Sequence, residues 1–125
     1  MINIIAVATG GALGAVLRHF MVKFFTIGAF PSGVLIANLL GCLMLGLLVE
    51  ILALKTELSE PIRYFLAVGF LGALTTFSTF ILDLVLLNNQ NNIKLALVYL
   101  ILSVFGGLIT MLCGMYLVKT MIRFI

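Results

Sequence analysis

Residues 75–80 read Thr-Thr-Phe-Ser-Thr-Phe, inside a segment otherwise apolar enough to cross a bilayer. Hydroxyls donate and accept hydrogen bonds, and a phenyl ring is positive at its edge. Together they suit an anion that is partly stripped of water without being held by a fixed cation, because conduction needs weak, repeated sites. The plainer reading has Thr75, Thr76, Ser78 and Thr79 bonding back to the carbonyl four residues earlier, with Phe77 and Phe80 facing lipid. Four hydroxyls within five residues, preceded by Gly69 and Gly72, favour an interruption of the helix, since glycine and β-branched residues weaken it. Backbone freed at membrane depth must face protein or a polar cavity, and interrupted helices are a known way to hold ions at the midplane.

Other residues offer chemistry more sparingly. Asn38, in Ile-Ala-Asn-Leu-Leu-Gly, is either glue between helices or a pore-lining amide that donates to an anion. Phe77 and Phe80 are three apart and share a helix face, and Asp83 follows at the same spacing. Asp83 and Arg18 lie towards segment ends, so each is either an interfacial residue that snorkels or part of a site. Tyr99, Ser103 and Gly107 form an i, i+4, i+8 line, a weak polar stripe. His19 carries no assigned role. Cys42 and Cys113 lie in apolar runs and read as small packing residues.

The elements that must position these groups follow from composition. The chain has 125 residues, of which 64% are apolar and 9% charged, against about half and a quarter in soluble domains. So apolar a chain cannot bury its surface in a core of its own, and its solvent is lipid. The expected fold is all-α, a single four-helix membrane domain with spans at about 3–24, 33–54, 62–87 and 93–120, each near the ~20 residues a crossing needs. Pro61 suits the first turn of the third span. That span, at about 1.5 Å per residue, is roughly 39 Å long, which puts 74–75 at mid-bilayer. No Lys or Arg precedes Arg18, so the first segment reads as a retained helix and not a cleaved signal. The net charge of +3 sits between apolar runs and does not point to nucleic acid.

Orientation is weakly specified. One side would carry Lys55, Arg63, Lys119 and Arg123, the other Arg18, Lys23 and Lys94. With so little bias in the charge that normally sets orientation, the chain is expected to insert both ways up and to pair as an antiparallel, dual-topology homodimer. The alternative is one orientation set by a partner or by weak residual bias. Small residues four apart (Ala6-Gly10-Gly14, Ala8-Ala12, Gly11-Ala15) and Gly106, Gly107 and Gly114 suit close helix packing in lipid. No metalloprotease, phosphate-loop or nucleophile-elbow motif occurs, and the first span holds no acid. A proton-coupled cation or drug exporter would have to use Asp83 or Glu50 as its carrier. A non-transporting membrane subunit is the third class.

The strings GGALGAVLR, PSGVLIANLLG and GFLGALTTFSTF, in that order across the first three spans, resemble the Fluc (CrcB-type) fluoride channels. The resemblance implies a passive fluoride exit channel of bacterial inner membranes, built as an antiparallel dimer with two pores and a central Na+. Carried over by position, it implies that Asn38 lines the pore and that Phe77 and Phe80 are the aromatic pair. Ser78 and Thr79 would belong to the polar track, and the carbonyls of Gly72 and Thr75 would hold the Na+. Arg18 matches the basic residue of the first helix and Asp83 the carboxylate after the aromatic pair. Gly107 stands where a further hydroxyl is expected, which leaves the roles of Tyr99 and Ser103 open. Some members pair as two different chains of fixed orientation, and the charge balance disfavours that arrangement here.

Overall fold

The computed structural model describes residues 1–54 and 58–123; Lys55, one of the charges counted above, lies outside them. Among the described residues the fold is all-helical, with four helical spans long and apolar enough to cross a membrane. Helix α1 runs Ile2–Phe25 and α2 runs Ser32–Ala53. The third span starts at the short α3 (Glu60–Arg63), with Pro61 in its first turn. It widens into a π-helical stretch, Tyr64–Leu71, and returns to α geometry in α4 (Gly72–Leu74). Helix α5 follows as Phe77–Asn89, and α6 (Ile93–Arg123) is the fourth span. Asn91 takes a positive φ of 58° in the α5–α6 turn and Gly28 one of 61° between α1 and α2, the left-handed conformation that Asn and Gly adopt most readily.

Between α4 and α5 the backbone leaves the helix. Thr75 (φ −83°, ψ 151°) and Thr76 (φ −150°, ψ 125°) are extended. The sequence placed the break at about 72–75, in a stretch weakened by Gly69, Gly72 and the hydroxyl cluster; in the structure both glycines stay helical and the extended residues are Thr75 and Thr76. The span changes partner there. Before it, the π stretch and α4 lie along α1; after it, α5 leans on α6, while α2 packs along α6 and also touches α1. Each half closes its own apolar cluster. Leu71 and Leu74 join Ala37 and Leu48 on one side, and Phe80 and Leu87 join Leu35 and Tyr99 on the other.

Glycine permits the close approaches. A methyl group at Gly10 or Gly14 of α1 would run into the backbone of Phe65 or Phe70, and one at Gly46 or Gly114 would run into the facing backbone between α2 and α6. Gly10, Gly14 and Gly114 are thus contact points as the small-residue spacing predicts, whereas Ala8, Ala12 and Ala15 face outward. Large apolar side chains cover that outer surface, including Leu13, Leu108 and Leu112, as a lipid-facing surface requires.

Candidate functional site

The extended pair at Thr75–Thr76 exposes backbone groups that a helix would have paired. Asn38, on α2, takes up two of them: its Oδ1 accepts from Thr76 N–H at 2.8 Å and its Nδ2 donates to Thr76 C=O at 3.1 Å. One side-chain amide thus replaces a piece of backbone partner, and Asn38 keeps one further N–H. The second turn is secured locally. Thr76 caps α5, its Oγ1 accepting from Thr79 N–H at 3.3 Å and donating to Thr79 Oγ1 at 3.1 Å, the usual role of Thr at such a position. Thr75 Oγ1 bonds back to Leu71 C=O at 2.9 Å, and its methyl sits against Gly41.

These bonds have a consequence for the carbonyls. In an unbroken α-helix the Thr76 N–H would go to Gly72 C=O and the Thr79 N–H to Thr75 C=O. Both donors are diverted, to Asn38 and to Thr76 Oγ1, so both oxygens lose their helical partner. Arg18 Nη1 approaches the Thr75 oxygen at 3.4 Å. Of the two readings of Arg18, the structure therefore has the side chain turned inward to the interruption.

A groove of about 410 Å³ runs past this point, lined by Asn38, Gly72, Thr75, Thr76, Phe77, Phe80 and Ser103 among others. Phe77 and Phe80 lie 5.8 Å apart between ring centroids at 46°. Phe77 is 75% exposed and Phe80 5%, so one ring projects from the protein while the other is packed inside. Phe80 meets Tyr99 at 5.3 Å, and Tyr99 meets Phe30 edge-on at 5.7 Å. Tyr99 OH donates to Asp83 Oδ2 at 3.1 Å, which gives both stripe residue and carboxylate a partner. Ser103 Oγ is buried with no hydrogen-bond partner among the described residues, an arrangement that asks for an explanation.

The structure thus gathers most of the residues singled out from sequence. Asn38, Gly72, Thr75, Phe77, Phe80 and Ser103 share one groove. Ser78 and Thr79 do not line it: Ser78 Oγ lies 3.4 Å from Thr76 Oγ1, and Thr79 is held by the same oxygen. Asp83 lines a separate pocket with Thr26, Pro31 and Gln90. The capping role of Thr76 and the contact at Gly41 were not anticipated. The signal for Thr76 was available, since it precedes the apolar run of α5 with a second hydroxyl three residues on. Cys42 is also part of the groove wall, and its Sγ would lie 3.4 Å from a methyl at Gly107, so the gap at Gly107 is partly filled from α2. Among the described residues no group of three or more His, Cys, Asp or Glu side chains is placed to hold a metal ion.

Residues 5–115 match the family model described as CrcB-like protein, Camphor Resistance (CrcB). The fluoride-specific ion channel FluC of Chloroflexus aurantiacus (strain ATCC 29366 / DSM 635 / J-10-fl) is 44% identical, covering 91% of this chain and 93% of the relative. That of Chelativorans sp. (strain BNC1) is 40% identical over 98% of this chain and 100% of its own. That of Sulfurimonas denitrificans is 37% identical over 97% and 96%.

Proposed function

The chain belongs to the CrcB-like family, and from that premise we propose that it is a fluoride-specific ion channel, which lets fluoride leave the cell down its electrochemical gradient. The observation that carries the reading is the extended Thr75–Thr76 pair, clamped by Asn38 and opening into a groove flanked by Phe77 and Phe80. Fluoride is small and strongly hydrated, so entry requires donors that replace part of its water. Counting donors narrows the candidates. The Thr75 and Thr76 hydroxyl protons are committed to Leu71 C=O and Thr79 Oγ1, which leaves, besides the weak S–H donor of Cys42, the second N–H of Asn38 and the unpartnered O–H of Ser103 in the groove wall. The edges of Phe77 and Phe80 add weak attraction without a fixed charge. In this reading most of the hydroxyl cluster holds the interruption open, and the anion is met mainly by amide, serine and ring edges.

The working unit is an antiparallel, dual-topology homodimer in a bacterial inner membrane, with the interruption at mid-bilayer. An axis in the membrane plane passes through that depth and can bring two copies of Gly72 and Thr75 together. The strongly exposed Phe77 ring would then be covered by the second copy. A structural Na+ on the axis fits the residues: sodium prefers hard oxygen ligands, and the two carbonyls assigned to it are the two whose helical donors are diverted. The approach of Arg18 to Thr75 is long, and a carbonyl has a second lone pair to offer. Such an ion would supply fixed positive charge beside the pore and tie the two copies together.

A proton-coupled exporter is less well supported, because its two candidate carriers are engaged. Glu50 pairs with Lys119 at 3.6 Å, and Asp83 accepts from Tyr99.

The test is fluoride release from proteoliposomes read by electrode. Release is expected only when an ionophore carries compensating charge, and without a pH gradient. Phe80→Ile should lower the rate at least tenfold, whereas the outward-facing Leu108→Ile should leave it unchanged. Folded protein that passes no fluoride, or passes it only when a pH gradient drives it, ends the proposal.

A further inference from the structure

Two spacings that differ by one residue meet at the α1 interface. The glycines of α1 that receive the third span, Gly10 and Gly14, are four apart. The carbonyls that lie on them belong to Phe65 and Phe70, which are five apart. Four residues advance an α-helix by about 6 Å, and a π-helix, wider and shorter in rise with its i→i+5 bonds, takes about five residues to advance as far. The π geometry of Tyr64–Leu71 is thus what lets successive carbonyls of one helix register on successive glycines of the other. The fit is reciprocal, since Gly69 faces back onto Val7 C=O and the backbone of Gly10 and Gly11. Continuing along the same face, Leu74 N lies by Gly14, and Arg18 reaches Thr75 C=O.

We propose that Gly10 and Gly14 are positioning residues: they hold Tyr64–Leu71 in the π register, and that register aims the Gly72 and Thr75 carbonyls and sets where Thr75–Thr76 meets Asn38. The π stretch alone does not account for its own persistence. Runs of i→i+5 bonds are rare and frequently fall at functional sites, and this one begins directly after α3 and ends directly before the residues of the site. Relaxing it to i→i+4 would re-index everything downstream by one residue, a rotation of about 100° with a rise of about 1.5 Å. The groove would then lose the alignment of Thr76 with Asn38. The role of these positions in conduction rests on the fluoride-channel reading; their role in register does not.

The experiment separates the two. Spin labels at Ile62 and Ile81, both outward-facing and on either side of the stretch, are placed in a background with Cys42 and Cys113 replaced by Ala. The labelled protein is diluted with unlabelled protein, and the separation is read by pulsed electron resonance beside proteoliposome fluoride release. Gly14→Ala and Gly10→Ala are expected to lengthen the separation by about 1.5 Å or more and to cut release at least tenfold. Gly11→Ala, whose added methyl comes no nearer than 4.0 Å to Gly69 C=O, should change neither. Gly69→Ala, with its methyl 2.8 Å from Val7 C=O, probes the interface from the other side and serves where the α1 variants do not fold. An unchanged separation in the folded variants overturns the proposal, whether or not release falls, because loss without re-indexing is a packing defect only. Should the unsubstituted protein release no fluoride, the functional reading fails and the separation still decides the register.

Discussion

Asn38 spends three of its hydrogen-bonding positions unequally: two close on Thr76, and one N–H remains for the groove. That division makes an unusual prediction for a residue proposed to meet the anion. Asn38→Ala should lower thermal stability as well as flux, because it strands one N–H and one C=O of Thr76, at about 1–3 kcal/mol each. A melting curve in detergent that does not move would contradict the clamp. Ser103 should behave in the opposite way. Its hydroxyl is buried and unpartnered, so Ser103→Ala removes a polar group that gains nothing in the resting protein. Melting temperature should hold or rise while fluoride release drops several-fold, and equal release would remove Ser103 from the path. The types of these residues were plain in the sequence. Their division of labour was not, because which hydroxyl proton is committed depends on a neighbour brought in by folding.

At the scale of elements, the third span works as two half-helices with different partners, α1 before Thr75 and α6 after Thr76. Its second partner is held in turn by α2, through a contact with no room for a side chain. Gly114→Ala should therefore cost about 1–3 kcal/mol of overpacking, since the methyl would overlap the Leu43 carbonyl. Gly106→Ala should cost much less, because its methyl would meet only the mobile end of Leu39 at 3.0 Å. Comparing the two melting temperatures checks the assignment, and equal losses would refute it. Sequence spacing marked Gly106, Gly107 and Gly114 alike as packing positions. It could not rank them, because the difference lies in whether backbone or a flexible side chain stands opposite. The π stretch was likewise invisible: its residues, Tyr64–Leu71, are apolar on every face, and a period is legible only where polarity alternates with it.

For the whole molecule, the balance of Lys and Arg between the two sides predicts that a C-terminal tag is reached from both faces of the membrane in roughly equal amounts. A tag found on one face only, with no second chain of opposite orientation, would remove the antiparallel pair and with it the shared axis. Composition and hydropathy by themselves determined that this chain lives in lipid and that it crosses in four spans, with a cluster of hydroxyls inside the third. Those properties are sums over many residues, and such sums survive ignorance of the fold. Only the tertiary structure decided that the extended residues are Thr75 and Thr76, that Asn38 closes on Thr76, and that the donors lost to Asn38 and to Thr76 Oγ1 are those of the Gly72 and Thr75 carbonyls. Each of these turns on a single donor choosing between a partner four residues away and one delivered by another helix, and that choice is made by packing.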